Sequence, residues 1–524
     1  MSRILEQRLN RFAAAKASHL IKDSRIGIER ETLRVSADGR IAQTPHPAEL
    51  GSALTHPFIT TDYSEAMLEL ITPPYAELGE LLRFLHELHQ FVYLHVGEEM
   101  LWATSMPCIL EGEQSIPIAR YGSSNAGIMK YIYRVGLGYR YGRIMQVITG
   151  VHFNFSLSEN FWIAFQAQEE DRRTLRDFTD DSYFCLIRNL QRFGWLVPYL
   201  FGSSPAVCKS FLAGKPTELT EFDESTYFSP YATSLRMSDI GYTNSREKKA
   251  GLNVSYNNLN DYIASLAWAI QTPCPEYLKI GVKVDEEYRQ LNANILQIEN
   301  EYYSSMRPKQ TPQDNEKPIL ALKRRGVQYV ELRSPDVNPF EPLGVNLEEL
   351  RFLEAFLLFS LFHESPPIAE DERREIDYNQ LVTANRGRNP SLLLRHNGRP
   401  QPLKRWALAI LEAMEGLCEI LDTGEADRPY ARMLNLQREA ILDPHRTPSA
   451  RVLVEMRANQ EGFFEFAQRT SQQHDLYFKA LSTPAERFEL LTEATRQSLQ
   501  LQREMEASDT LSFDEYLQRY FAQS

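Results

Sequence analysis

The chain has 524 residues, 43% of them apolar and 24% charged, and a net charge of −13. That length supports a large core, the balance argues against disorder, and the acidic excess excludes a nucleic-acid surface, which needs basic residues to displace counterions from phosphate. The cysteines Cys108, Cys185, Cys208, Cys274 and Cys418 show no C-x-x-C or zinc-type spacing and predict buried thiols in a reducing, cytoplasmic protein.

In chain order, the amphipathic start MSRILEQRLNRFAAAKASHL lacks a continuous apolar core and a cleavage site, and reads as the first helix of the fold. Five short runs are β-patterned: 25–35, 65–72, 146–156, 294–301 and 328–334. Alternation along a strand sorts their side chains. Glu29 and Glu31 share a face opposite Ile26 and Ile28, and Glu65 and Glu69 one opposite Ala66, Leu68 and Leu70. Gln146, His152 and Asn154 oppose Val147, Val151, Phe153 and Phe155, while Glu331 and Arg333 oppose Val330 and Leu332. Between the first two runs and the third, Leu78, Leu81, Leu82, Leu85, Leu88 and Val92 mark a core helix. The segment from about 193 to 242, rich in Gly, Pro, Ser and aromatics, predicts an arm inserted between sheet strands, able to close over one end of a site. From about Asn346 the chain reads as helical: Asn346 and Glu349 resemble a capping box, and Thr447-Pro448 and Thr483-Pro484 signal helix starts. The apolar stretch 352–362 contains Glu354 and is too short to cross a bilayer. The expected division is a sheet-containing catalytic region, 1–345, with the helical region 346–524 packed on it as one structural unit.

For any single strand a solvated polar face is the ordinary reading, and a lone histidine is usually structural. The recurrence carries the chemistry: separate runs present Glu29, Glu31, Asp62, Glu69, His152 and Glu331, most beside bulky apolar neighbours. Like charges grouped on a sheet repel unless a cation lies among them, and a hard divalent ion such as magnesium suits oxygen ligands completed by phosphates. Phosphate-binding loops are missing: the Gly214-Lys215-Pro216-Thr217 stretch lacks the first glycine of a Walker motif, and Gly136, Gly138 and Gly142 miss the dinucleotide spacing. A nucleotide site would therefore rest on metals and on arginines such as Arg134, Arg236, Arg307 and Arg333.

The runs GIERETLRV, LTHPFITTDYSEAMLELITP, SMPC, YRVGL, RYG and MQVITGVHFNFSL are characteristic, as are RFGWLVPYLFGSSPAVC, PYATSLRMSDIGYTN, LQIENEYYSSMRPK and ELRSPDVNPF. Together they strongly resemble the proteobacterial type of glutamate–cysteine ligase (gamma-glutamylcysteine synthetase), over most of residues 25–345 and more loosely beyond. The resemblance implies an α+β fold like that of glutamine synthetase, a curved and mainly antiparallel sheet with helices outside. It also implies the reaction of glutamate, cysteine and ATP to gamma-glutamylcysteine, ADP and phosphate, the first step of glutathione synthesis, through a gamma-glutamyl phosphate. A related carboxylate–amine ligase with another acceptor amine is the nearest alternative, followed by a phosphotransferase and a non-catalytic metal- or nucleotide-binding protein.

Carried onto this sequence, the resemblance makes Glu29, Glu31, Asp62, Glu69, His152 and Glu331 the shell of more than one magnesium (or manganese) ion. Asp62, after Thr60-Thr61, could instead cap a turn. Arg134 and Arg333 stabilise the moving phosphoryl group. Arg236, Gln146 and Asn300 fix the amino-acid substrates, and Tyr133, Leu137, Tyr242 and Tyr303 line the cysteine pocket. No protein thiol is needed as nucleophile, and Cys108 reads as structural. The expected partners are small molecules acting on a monomer, with feedback by glutathione where it overlaps the glutamate pocket.

Overall fold

Strand β1 (Ser24–Val35) is the axis of the sheet because it is long and pairs antiparallel on both sides. Its neighbours are β3 (Met67–Ile71), with Glu31 opposite Glu69, and β5 (Val151–Leu157), with Glu29 opposite His152. With β2 (Ile59–Thr61), β4 (Met100–Leu101), β6 (Met306–Lys309) and β7 (Tyr329–Leu332) they make a seven-stranded sheet of order β6-β7-β5-β1-β3-β2, β4 pairing with β1. Every pairing in it is antiparallel. The structure is a computed structural model and describes residues 3–107, 109–241, 251–313, 315–481 and 486–523.

The predicted alternation is what builds the layers. Ile26, Ile28, Leu68, Leu70, Val151, Phe153, Phe155 and Val330 are fully buried on one face. They meet helices α1 (Arg3–Ala14) and α2 (Leu78–Tyr93) and, at the centre, the Leu347–Phe362 helix, in one continuous core. That last helix is buried on nearly all sides, and eleven of its sixteen residues are apolar. Asn346 caps it by accepting the Glu349 N–H at 2.9 Å. The return half of the expected capping box is not made: Glu349 Oε1 is buried without a hydrogen-bond partner among the described residues, and burial pushes its carboxyl well above the usual range. No described helix is long and apolar enough to cross a membrane.

Three strand expectations are corrected. Residues 294–301 form no strand; they run irregularly into a 3-10 turn, Glu299–Glu301. Gln146 lies in another such turn, Met145–Val147, before β5 begins. Glu65 does not share a strand face with Glu69, because it precedes β3 and its carboxylate accepts the His46 and Arg120 N–H groups at 2.9 and 2.7 Å. The C-terminal third is helical as read, apart from the hairpin Leu393–His396/Arg399–Pro402. Thr447 and Pro448 start a helix as expected, and Thr483-Pro484 lies outside the described residues. In the 193–242 segment, Trp195, Leu196, Val197 and Tyr199 belong to the main core, and a small sheet (Ala206–Cys208, Thr220–Glu221, Thr226–Phe228) follows.

His89 on α2 is 1% exposed, stacks on Phe478 at 5.7 Å and places Nδ1 2.8 Å from the Leu85 carbonyl. Burial, helped by Arg30, pushes its imidazole down to about 3. The unfolded chain binds that proton near pH 6.5, so this contribution to stability is complete above 6.5 and is lost as pH falls towards 3. Between those limits, wild type minus His89→Gln should lose about 1.4 kcal/mol per pH unit on acidification. Denaturant unfolding at several pH values checks this; parallel curves for the two proteins would contradict it.

Candidate active site

The strand register alone brings the predicted acidic residues together. Glu69 faces Glu31 across β3 and β1, Glu29 faces His152 across β1 and β5, and Glu331 on β7 faces Asn154 on β5 and Arg307 on β6. All of these side chains except Asn154 line one cavity of about 460 Å³ on the polar side of the sheet. His152 is 2% exposed: its Nδ1 lies 3.1 Å from Glu29 Oε2 and 3.7 Å from Glu331 Oε1, and its Nε2 3.4 Å from Glu31 Oε1. Asn154 Nδ2 donates to Glu29 Oε1 at 2.9 Å and the Gly150 N–H to Glu31 Oε2 at 2.8 Å.

Helix α3 (Asn125–Tyr141), capped by the Ser124 side chain, roofs this floor. One stripe of it, Ala126, Met129, Lys130, Tyr133, Arg134 and Leu137, faces the cavity. Arg134 donates through Nε to the Asp62 carbonyl, places Nη2 3.6 Å from Asp62 Oδ1 and stacks over Tyr121 at 4.7 Å. Asp62 is thus an arginine-paired residue on the cavity wall. On the sheet, Arg333 Nη1 donates to Glu331 Oε1 at 3.0 Å. Tyr303 O–H donates to Gln146 Oε1 at 2.7 Å. Tyr133, Leu137, Gln146, Asn300 and Tyr303 all line the cavity.

Arg236 is placed differently from the other candidates. It is 1% exposed, donates to the Arg333 and Ser334 carbonyls at 2.7 and 3.1 Å, and lines an adjoining pocket that shares Tyr303 and Arg333 with the main cavity. Tyr242 and Cys108 lie outside the described residues. The sequence reading missed Lys130, Lys309, Tyr516 and Tyr520, which also line the cavity, and Gly150 beneath it. A Cβ on Gly150 would sit 2.1 Å from Arg236 Nη2. Gly150→Ala should therefore displace Arg236 and the backbone that holds Glu31, lowering stability by about 1–3 kcal/mol and turnover at least about tenfold. Steady-state kinetics with thermal unfolding checks this, and unchanged values in both would contradict it.

The electrostatics show where positive charge is short. Burial, then Glu29, Asp62 and Glu31, pushes the Glu69 carboxyl well up, and burial raises Glu31 despite His152. Burial also works against Glu331, but Lys309, Arg333 and His152 hold it well below the usual carboxylate range. Glu29 is pulled down by the His152 hydrogen bond and Lys309 against burial and Glu331. Burial and Arg134 push the Lys130 ammonium down to about 8. One atom each from Glu29, His152 and Glu331 lies within 4.8 Å of the others. His152 Nε2 is buried with no hydrogen-bond partner among the described residues. So is Glu331 Oε2, which lies 3.2 Å from Lys309 Nζ as an ion pair. Carboxylate-rich donors with spare buried ligand atoms fit a hard divalent cation.

Residues 9–382 match the family model described as glutamate-cysteine ligase. The glutamate–cysteine ligase of Alcanivorax borkumensis is 47% identical over 523 residues, 99% of each chain. That of Pseudomonas paraeruginosa is 48% identical over all of this chain and 98% of its own. Among solved structures, the Francisella tularensis glutamate–cysteine ligase in complex with AMP superposes with TM-score 0.88 at 36% identity, covering 95% of this chain and 97% of that one. A bifunctional glutathione synthetase from Pasteurella multocida superposes with TM-score 0.71 at 25% identity over 96% of this chain and 59% of its own.

Proposed function

We propose a division of labour along the cavity for a chain that belongs to the glutamate–cysteine ligase family. Its reaction is the ATP-dependent joining of the glutamate γ-carboxylate to the cysteine amine, giving γ-glutamylcysteine, ADP and phosphate, the first step of glutathione synthesis. The observation that carries the residue assignment is the register that stacks Glu69, Glu31, Glu29, His152 and Glu331 on one face under a roof bearing Arg134.

A carboxylate resists attack by an amine until one of its oxygens is made a leaving group. In the proposed sequence the γ-carboxylate of glutamate takes the terminal phosphoryl group of ATP. The cysteine amine then attacks the acyl carbon of this γ-glutamyl phosphate, and phosphate departs with the carboxylate oxygen. Such chemistry asks the protein for alignment and for positive charge around the transferring group. Arg134 and Arg333 both line the cavity and supply that charge. Glu29, His152 and Glu331 would hold one magnesium ion, and Glu31, Glu69 and Asp62 would hold a second. Bound there, magnesium would neutralise the triphosphate and orient it for in-line transfer. Gln146 and Tyr303, joined by their hydrogen bond, mark the amino-acid end, with Tyr133 and Leu137 as the walls against the cysteine side chain. Arg236 acts from the adjoining pocket by fixing the Arg333 and Ser334 carbonyls, and so the bearing of Arg333. The compartment this reading implies is the cytoplasm.

Pure protein given glutamate, cysteine, ATP and magnesium should form γ-glutamylcysteine, detected by mass, in step with ADP. Ammonia or 2-aminobutyrate turned over in preference to cysteine would favour the ligase with another acceptor. Chelation by EDTA should abolish turnover and excess magnesium restore it; turnover persisting in EDTA would contradict the metal assignment.

A further inference from the structure

Three of the characteristic runs of the sequence meet at one side chain that the reaction does not use. Asp336, in the ELRSPDVNPF run, is 1% exposed. Its Oδ2 accepts the Ser203 N–H at 2.9 Å and the Ser204 hydroxyl at 2.6 Å, and its Oδ1 accepts the Ser234 hydroxyl at 2.8 Å. Arg236 Nη1 lies 3.7 Å from Oδ1. Ser203 and Ser204 belong to RFGWLVPYLFGSSPAVC, and Ser234 and Arg236 to PYATSLRMSDIGYTN. Two separate stretches of the 193–242 segment therefore converge on one carboxyl group that follows β7.

From Asp336 the contacts run on to Arg333. Ser234 caps the 3-10 turn Leu235–Met237, its side chain accepting the Met237 N–H at 3.2 Å, and Arg236 sits in that turn. The Leu235 N–H donates to the Ser204 carbonyl at 2.7 Å, which ties the turn to the stretch on the other carboxylate oxygen. Out of the turn, Arg236 reaches the Arg333 and Ser334 carbonyls. Arg333 is the first residue beyond β7: its N–H donates to the Ser305 carbonyl at 2.8 Å, while its own carbonyl is held by Arg236. Pro335 stiffens the short step from Arg333 to Asp336, and its carbonyl accepts the Val151 N–H at 3.2 Å. One short segment thus receives the arm twice, at its carbonyls and at the Asp336 side chain.

A carboxyl group inside the core costs stability, and burial pushes that of Asp336 up against the pull of Arg236 and the serines. Apolar side chains would hold the arm to the sheet at lower cost, but they fix no direction. We propose that Asp336 is a positioning residue for the ligase reaction, locking the Ser234–Arg236 turn so that Arg236 sets the bearing of Arg333 beside Glu331. The inference rests on the ligase reading above and adds to it what holds Arg236. Asp336 lines neither the main cavity nor the adjoining pocket, so it acts through the arginines and touches no substrate.

Asp336→Asn keeps shape and volume, but an amide accepts on one side only, so its NH2 group must face either the Ser203 N–H or Arg236. The variant should lower kcat about ten- to a hundredfold, with the KM for ATP within about twofold of wild type. In an Arg333→Met background, read by single turnover, the same change should cost no more than about a further twofold, because the group it positions is gone. Crystals of Asp336→Asn should show Arg236 Nη2 withdrawn from the Arg333 carbonyl. Should that variant fail to fold, Ser234→Ala, which deletes one hydroxyl, carries the same expectations with a loss in kcat of about three- to tenfold. Wild-type kcat in the folded variants would overturn the proposal. So would losses that multiply in full in the Arg333→Met background, the mark of a purely structural role. If the wild-type protein makes no γ-glutamylcysteine, it is the ligase reading that fails, and the variant crystals still decide what Asp336 holds: an unmoved Arg236 would overturn the lock.

Discussion

Glu331→Gln is expected to lower kcat at least about a thousandfold while leaving the circular-dichroism spectrum unchanged. Gln keeps the size and the strand geometry, so β7 still pairs with β5 and β6. It removes the charge towards which Lys309, Arg333 and His152 all point, at 3.2, 3.0 and 3.7 Å. These three hold Glu331 well below the usual carboxylate range against full burial. The apparent magnesium requirement should rise along with the loss of rate. Turnover near the wild-type value in a folded Glu331→Gln protein would refute the metal assignment.

Arg333→Met should cost about a thousandfold in kcat, with smaller changes in the KM values. Arg333 is one of two guanidinium groups flanking the floor, and its neighbours fix its direction. Its Nη1 bonds Glu331 Oε1 at 3.0 Å, and Arg236 Nη2 grips its carbonyl at 2.7 Å. A planar cation held in this way adds charge where it builds up during phosphoryl transfer, and Met fills similar volume without that charge. Arg333→Lys should recover only part of the loss, since a point charge does not reproduce the fork. Single-turnover measurements with saturating ATP separate this from a binding effect. A raised KM with kcat intact would show that Arg333 binds substrate uniformly and does not act on the transition state.

Much of the site was legible because a strand writes its two faces into the sequence. The alternation around Glu29, Glu31, His152 and Glu331 placed those side chains on the polar face, and the apolar partners Ile28, Phe153 and Val330 fell into the core. The register between strands was not legible, since nothing local fixes which residue of β5 meets Glu29; the pairing with His152 comes from the assembled sheet. The 294–301 run failed as a strand because its polar residues serve loop contacts: Gln297 Nε2 donates to the Tyr133 carbonyl and Asn294 Nδ2 to that of Ile270. Glu65 was misplaced because a turn glutamate that accepts backbone N–H groups carries no periodic signal. Gly150 could have been found only by knowing that Arg236 lies against it. Tyr516 and Tyr520 read as ordinary helix aromatics more than 180 residues beyond Glu331, and only tertiary packing brings them to the cavity.

The most direct test of the central claim is anomalous scattering from crystals of the protein grown with ADP and manganese standing in for magnesium. Peaks should appear within about 2.0–2.6 Å of oxygens of Glu29 and Glu331, and beside a ring nitrogen of His152, with a second ion among Glu31, Glu69 and Asp62. ADP bound with manganese elsewhere on the surface, and none between these carboxylates, would contradict the account.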